Sequence, residues 1–308
     1  MKPHDRPVTH RVTATPALQG ERIDKALAAL IPSVSRRQIR DILVRGGVWN
    51  GIHRIRSQCL PVAAGDVLVL VHPPGFIYPE VHLTAAHILW EDPWLVALNK
   101  EAGWYVQPNP WDVFGNVEQA LIDFLQTREG KKPRLHLTHR LDRDTSGVLI
   151  VSRSPDINAQ LQKLWNSGGV EKIYRALVSG HPQAEWSCSE PLGPGPNAKH
   201  RVDAVKGKPA HTDFKTLRTA GSAEGPWAEI EARPRTGRTH QIRIHAAHTG
   251  HPLLGDPRYG GPEQLGGRPV SRVMLHAASL TLRHPKTGEA IRLEAPVPAD
   301  YAALQGTS

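Results

Sequence analysis

The apolar positions of this chain fall into two blocks. In the first, Ile23, Leu27, Leu30 and Ile31 recur at helical spacing, and Pro32-Ser33 ends that helix. Ser35 stands where an N-cap is expected. The helix after it carries Ile39, Ile42 and Leu43 on one face, with Arg36, Arg37, Arg40 and Arg45 elsewhere, and stops at Gly46-Gly47. Val48-Trp49, the turn Asn50-Gly51 and the stretch from Ile52 read as a hairpin. Gly65-Asp66 reads as a further turn before a strand over Val67 to Val71. Residues 1–20 are polar, carry Pro3, Pro7 and Pro16, and read as a loose arm. His72-Pro73-Pro74-Gly75, with Pro79 soon after, reads as a linker over 73–83.

The second block runs over 84–304. Ile88 to Trp90, Leu95 to Leu98, Val148 to Val151, Arg175 to Val178, Ala210 to Leu217, Ala228 to Glu231 and Leu280 to Leu282 look like strands. Val117 to Leu125 and Asp156 to Trp165 look like helices. The two kinds mix without a regular βαβ rhythm, which points to an α+β fold. No internal repeat or low-complexity tract interrupts the block, and residues 305–308 read as a frayed tail.

Composition adds one directional fact. Of the 308 residues, 38 are Lys or Arg and 29 are Asp or Glu, for a net charge of +9. Such a balance suits a polyanion, although a charge kept for solubility explains it equally well. The longest apolar run, Ala26 to Ile31, is far short of the about 20 residues that cross a bilayer. Met1-Lys2-Pro3-His4-Asp5 leads into no apolar signal core. The two cysteines, Cys59 and Cys188, make neither a disulfide framework nor a zinc site by themselves. A cytoplasmic, monomeric protein with no membrane partner is expected.

Three segments concentrate reactive side chains. His139-Arg140-Leu141-Asp142-Arg143-Asp144-Thr145-Ser146-Gly147 packs two carboxylates and adjacent guanidiniums against an apolar strand. By charge content alone a surface salt-bridge cluster accounts for it. Arg235 to His245 is the second. If extended, it places His240, Ile242 and Ile244 on one side and Gln241, Arg243 and His245 on the other. An inward arginine there would need a carboxylate, and Asp142 is the evident candidate. Leu254-Gly255-Asp256-Pro257-Arg258-Tyr259-Gly260 is the third, a turn-rich loop in which Asp256 reads as a turn residue. His240, His245, His248 and His251 match no common zinc-ligand spacing, so no metal is expected.

Taken together and in order, these segments resemble the RluA-type RNA pseudouridine synthases. The resemblance rests on Asn99-Lys100-Glu101-Ala102-Gly103, the 139–147 stretch, Lys172-Ile173-Tyr174-Arg175-Ala176, Gly237-Arg238-Thr239-His240-Gln241-Ile242-Arg243 and Gly255-Asp256-Pro257-Arg258-Tyr259. It extends from Glu21 to about Leu304. Residues 21–72 are similar to the ribosomal-protein-type alpha-L RNA-binding domain through Arg22-Ile23-Asp24, Ser35-Arg36-Arg37, Asn50-Gly51 and Gly65-Asp66-Val67. Three departures stand out. Glu101 and Gln107 replace a proline and a histidine common in the family, and Trp49 replaces the small polar or β-branched residue usual before the Asn-Gly turn. Trp49 suits base stacking and hairpin packing alike.

The resemblance implies a mixed, largely antiparallel catalytic sheet with flanking helices behind a small N-terminal RNA-binding domain. It implies an isomerase that detaches uracil from ribose and rejoins it through carbon five, with no cofactor. Asp142 matches the catalytic aspartate, Tyr174 the tyrosine that packs on the base, and Arg243 the basic residue paired with the aspartate. A neighbouring guanidinium favours an ionised carboxylate. Arg140 matches an arginine that enters the space left by the flipped nucleotide. Arg238, His240 and Gln241 are implied supporting residues. Arg36, Arg37 and Arg40, at a helix N-terminus, would grip RNA backbone. Ribosomal RNA of the large subunit is the favoured partner and transfer RNA the second. A carboxylate that captures the sugar and one that draws its proton in a glycal route remain alternatives.

Overall fold

The computed structural model describes residues 7–196, 199–222 and 225–306. The chain divides into two compact units, Met1–His82 with Tyr105–Asp123, and Leu83–Trp104 with Phe124–Ser308. Among the described residues no helix is long and apolar enough to cross a membrane.

The first unit packs two helices, Ile23–Leu30 and Arg36–Arg45, on a four-stranded sheet ordered Val8–Thr13, Val67–His72, Val48–Asn50, His53–Ile55. Ile23, Leu27, Ile39, Ile42, Leu43, Val48, Leu68 and Leu70 are 0–1% exposed and form its core. Ser35 and Gln38 close a reciprocal capping box, and Gly46 takes the left-handed φ of 81° that ends the helix. The expected loose arm is wrong from residue 8 onward. Val8–Thr13 pairs antiparallel with Val67–His72 along its whole length. Alternate residues of that strand bury little, so its sequence carries no apolar signal; the backbone ladder holds it. Residues 1–6, the rest of that arm, lie outside the described residues. The start of the expected linker is also packed, with His72 stacked between His10 and Phe76.

Residues 105–123 depart from the expected 84–304 block. This segment opens with turns and runs into a helix, and it buries Val106, Trp111, Val117 and Leu121. Its backbone is satisfied by the first unit: Trp49 Nε1 donates to Pro110 O (2.9 Å) and Arg54 Nη2 to Asn109 O (2.9 Å). Arg45 lies 3.5 Å from the Asp112 carboxylate. Trp49 also carries the Arg54 guanidinium 4.4 Å over its ring, a packing contact within the hairpin.

The second unit is built on a ten-stranded sheet. Its order is Glu185–Cys188, Thr212–Ser222, Gly225–Pro234, Val170–Ser179, Leu275–Arg283, Ser146–Ser152, Leu95–Lys100, Ile88–Glu91. Ala290–Glu294 pairs with Leu275–Arg283 and His136–Leu137 with Ser146–Ser152. Every pairing is antiparallel except that of Leu275–Arg283 with Ser146–Ser152. Helices Pro155–Asn166, Gln241–His248 and Ala299–Gln305 flank it. The fold is therefore a mixed, largely antiparallel α+β arrangement. Ser146–Ser152 is buried at every position, which is why its sequence is a continuous apolar run rather than an alternation. Gln305, placed in the expected tail, ends the last helix, and residues 307–308 lie outside the described residues.

Candidate active site

The loop Thr138–Thr145 feeds directly into the central strand Ser146–Ser152. At Gly147 φ is +112°, and an added Cβ would lie 2.1 Å from Ala277 O on the neighbouring strand, so only glycine fits. The loop is pinned from several sides. Thr145 N donates to Asp142 O (3.1 Å), and Gly103 N donates to Arg143 O (2.8 Å). Arg272 Nη1 donates to Asp144 O at 3.2 Å, while its other nitrogens hold Asp300 at 2.5 and 2.9 Å. Lys100, fully buried, gives its ammonium to three carbonyl oxygens, those of Glu101, Trp104 and Arg143, at 2.8–2.9 Å. Burial draws its pKa down to about 7, against the opposing charges of Asp144 and Asp142.

This loop forms one wall of a cavity of about 360 Å³. The strand Val170–Ser179 supplies Lys172 and Tyr174, the loop 234–240 another wall, and helix Pro155–Asn166 brings Trp165. Asp142, Tyr174, Arg243, Arg140, Arg238, His240 and Gln241, far apart in sequence, all line it.

Asp142 and Asp144 diverge. Asp144 pairs with its neighbour Arg143 at 2.8 Å. Asp142 keeps a side-chain exposure of 28% and meets Arg243 Nη1 at 3.2 Å, with His240 Nε2 at 3.7 Å. Arg243 is buried, and its firmest bonds go to Asp256, Nε to Oδ2 at 2.6 Å and Nη2 to Oδ1 at 2.8 Å. Asp256 is thus an ion-pair partner rather than only a turn former. The missed signal was stoichiometric: a buried guanidinium has five N–H donors, and Asp142 alone could not satisfy them. Burial opposes the charge on Arg243, but the Asp256 bonds more than offset this and keep it protonated.

The segment around Arg243 is helical from Gln241 to His248, not extended as its alternation suggested. Six consecutive residues of that helix are buried, so it lacks an amphipathic stripe, and the false period of two went uncontradicted. His240 opens the helix at φ +57°, an uncommon conformation for a side-chain-bearing residue. Its Nδ1 lies 2.8 Å from the Tyr259 hydroxyl, and Tyr259 in turn donates to His200 O at 3.2 Å. Burial, with help from Arg243 and against the pull of Asp142, pushes His240 down to about 4, so the ring is neutral at neutral pH.

Tyr174 packs on the core formed by Ala176, Ile230, Ile242 and Leu275. Burial, then the charge of Asp142, raises its phenol well above the usual range, so it stays protonated. Arg140 is exposed at the cavity edge. Arg238 is exposed and donates from Nε to Pro209 O at 3.0 Å. Gln241 is 4% exposed, with both ends of its amide occupied: Oε1 accepts from the Thr236 hydroxyl and Arg238 N, and Nε2 donates to His211 O and Thr212 Oγ1. It braces the loop.

In the first unit, Arg22, Arg36 and Arg40 converge on the fully buried Asp24 at 3.1, 2.9 and 2.8 Å. Burial works against that carboxylate, but the bonds from Arg40, Arg36 and Arg22 overcome it and hold its pKa at about 2. Three cations around one anion leave a local positive surplus. Arg37 lies exposed beside them.

Residues 94–248, which contain Asp142, Tyr174 and Arg243, match the family described as RNA pseudouridylate synthase. The chain is 37% identical to an uncharacterized RNA pseudouridine synthase of Chloroflexus aurantiacus, over 94% of this chain and 91% of that one. It is 34% identical to ribosomal large subunit pseudouridine synthase C of Escherichia coli, over 95% and 94%. Human RNA pseudouridylate synthase domain containing 4 is similar in structure, with a TM-score of 0.58 and 25% identity over 70% of this chain and 90% of that chain. The chain belongs to the RNA pseudouridylate synthase family and is an RluA-type pseudouridine synthase, an isomerase.

Proposed function

We propose that this protein isomerises uridine in large-subunit ribosomal RNA, with Asp142 as the carboxylate that acts at the sugar. The observation that carries the assignment is the placement of Asp142. It is open to the cavity, held by a buried guanidinium that is itself anchored on Asp256, and near Tyr174. The substrate class follows the relatives, which are named for the large ribosomal subunit.

In this reading the C1′–N1 bond breaks with its electron pair passing to N1. Asp142 meets the oxocarbenium-like C1′ directly, as in glycoside cleavage, or draws the sugar proton in a glycal route; both need the carboxylate at the same place. Uracil turns within the cavity, C5 bonds to C1′, the C5 proton leaves and N1 is protonated. Nothing is oxidised and no cofactor enters. Arg243 positions Asp142 and keeps a positive charge beside it. Tyr174 offers a flat apolar ring with a neutral hydroxyl. Arg140, at the edge, occupies the space vacated by the flipped nucleotide, offsetting part of a cost of a few kilocalories per mole. His240 and Arg238 support the wall beside Asp142, and Gln241 holds their loop.

The N-terminal unit acts as an alpha-L-type RNA-binding module, with Arg36, Arg37 and Arg40 against the phosphate backbone, and the protein works as a cytoplasmic monomer. The test is to incubate purified protein with ribosomal and transfer RNA, map pseudouridine, and repeat with Asp142→Asn. New pseudouridine in large-subunit RNA that disappears in the variant supports the proposal. Modification of transfer RNA alone overturns the substrate, and an active Asp142→Asn overturns the role of the carboxylate.

A further inference from the structure

Two buried lysines of the second unit differ in one respect. Lys100 has an acceptor for each of its three ammonium protons. Lys172, 8% exposed, makes one hydrogen bond, to Thr236 O at 3.2 Å. Among the described residues its other two protons have no acceptor and no carboxylate pairs with it. Burial lowers its pKa, and no neighbouring anion opposes that. A buried cation left this way is costly unless something else completes its shell.

What it faces is the cavity. Lys172 and Tyr174 are two residues apart on one strand, share a face, and both line the space that Asp142 lines. Burial, then Asp142, raises the Tyr174 phenol, and burial, then Lys172, lowers the imidazole of His139, whose ring stacks on Trp165 at 4.3 Å. Asp142 and Lys172 thus both line the cavity beside Tyr174, the one held by Arg243 and the other bonded to the loop at Thr236.

We propose that Lys172 is a further catalytic residue, donating hydrogen bonds to the uracil anion released when the C1′–N1 bond breaks. This rests on the assignment of Asp142 above. The released electron pair resides on N1 and is delocalised onto the carbonyl oxygens O2 and O4. Lys172 stabilises that charge without giving up a proton. When C5 bonds to C1′ and loses its proton, and N1 gains one, the charge is gone and the ammonium is ready again. The role is the same in the covalent and glycal routes, since both release uracil with its electron pair. A backbone phosphate is a poorer fit, because a phosphodiester remains at the hydrated surface and Lys172 is buried.

The test compares wild-type full-length protein with Lys172→Met, Lys172→Gln and Lys172→Arg, alongside Asp142→Asn, on an RNA fragment that the wild type modifies. Single-turnover rate at saturating RNA, RNA Kd across a salt series, and thermal melting are measured. Lys172→Met and Lys172→Gln are expected to lose about 10²–10³-fold in rate, as when a donor to a developing anion is removed. Kd and its salt slope should be unchanged, and Lys172→Arg should recover part of the rate. Wild-type rates in both neutral variants overturn the proposal. So does a loss confined to Kd with a shallower salt slope, which would make Lys172 a phosphate contact, and so does a rate loss that merely follows melting. Activity that survives Asp142→Asn removes the underlying assignment separately from anything seen at Lys172.

Discussion

Arg243 grips Asp256 through two nitrogens, at 2.6 and 2.8 Å, and both side chains are almost fully buried. Only the remaining Nη1 reaches Asp142, at 3.2 Å. The guanidinium is thus fixed by one carboxylate and offered to another. Removing one member of a buried pair leaves an uncompensated charge, at about 3–5 kcal/mol. Asp256→Ala is expected to lower stability by that amount and to reduce activity with it. Asp256→Asn keeps the shape but loses the charge, so Arg243 turns toward Asp142 and the single-turnover rate falls more than the melting temperature. Denaturant midpoints and single-turnover rates check both; unchanged stability in Asp256→Ala would contradict the anchor.

Tyr174 combines a packed ring with a phenol that burial and Asp142 keep protonated. Tyr174→Phe should preserve the fold and RNA affinity. If the hydroxyl takes part in proton transfer, kcat should fall by roughly 10²-fold. Steady-state kinetics and a filter-binding Kd separate the two effects, and full kcat in the phenylalanine variant would limit Tyr174 to packing on the base.

Arg36 and Arg40 are tied to Asp24, whereas Arg37 is exposed on the same helix turn. Arg37→Gln therefore isolates RNA contact from folding. Affinity should weaken across RNA sequences, and the salt slope should shrink by about one, with melting unchanged. An unaltered slope would remove Arg37 from the interface.

His240 and His139 are held neutral in the fold, with pKa values pushed down to about 4 and about 3 chiefly by burial. In the unfolded chain both take up protons near pH 6.5. The unfolded state then binds more protons than the folded one, so stability present above pH 6.5 is lost progressively as pH falls toward 4. Melting temperatures from pH 8 to 4 should decline over that window, and less steeply in His139→Gln. A flat profile in the wild type would contradict the buried, neutral assignment.

Much of the fold was legible from local signals. Ser35 marks the N-cap of the second helix, Gly46 its end, and the apolar run Val148 to Val151 a strand, because each depends on residues near in sequence. Strand Val8–Thr13 was not legible, since its stability comes from a ladder to Val67–His72, which leaves no apolar pattern. The placement of residues 105–123 was equally hidden: Trp49, Arg45 and Arg54 satisfy that segment from more than fifty positions away.

At the site, the motif order in the sequence identified the family and singled out Asp142 as the candidate carboxylate, because the residue types the chemistry requires stand at set places along the chain. Tertiary structure alone decided the rest. It made 241–248 a helix, since a fully buried segment shows no period to read. It converted Asp256 from a turn residue into the anchor of Arg243, since guanidinium donors are satisfied through space. It also separated the saturated Lys100 from Lys172, two lysines that look alike in a sequence and differ only in which oxygens lie within reach.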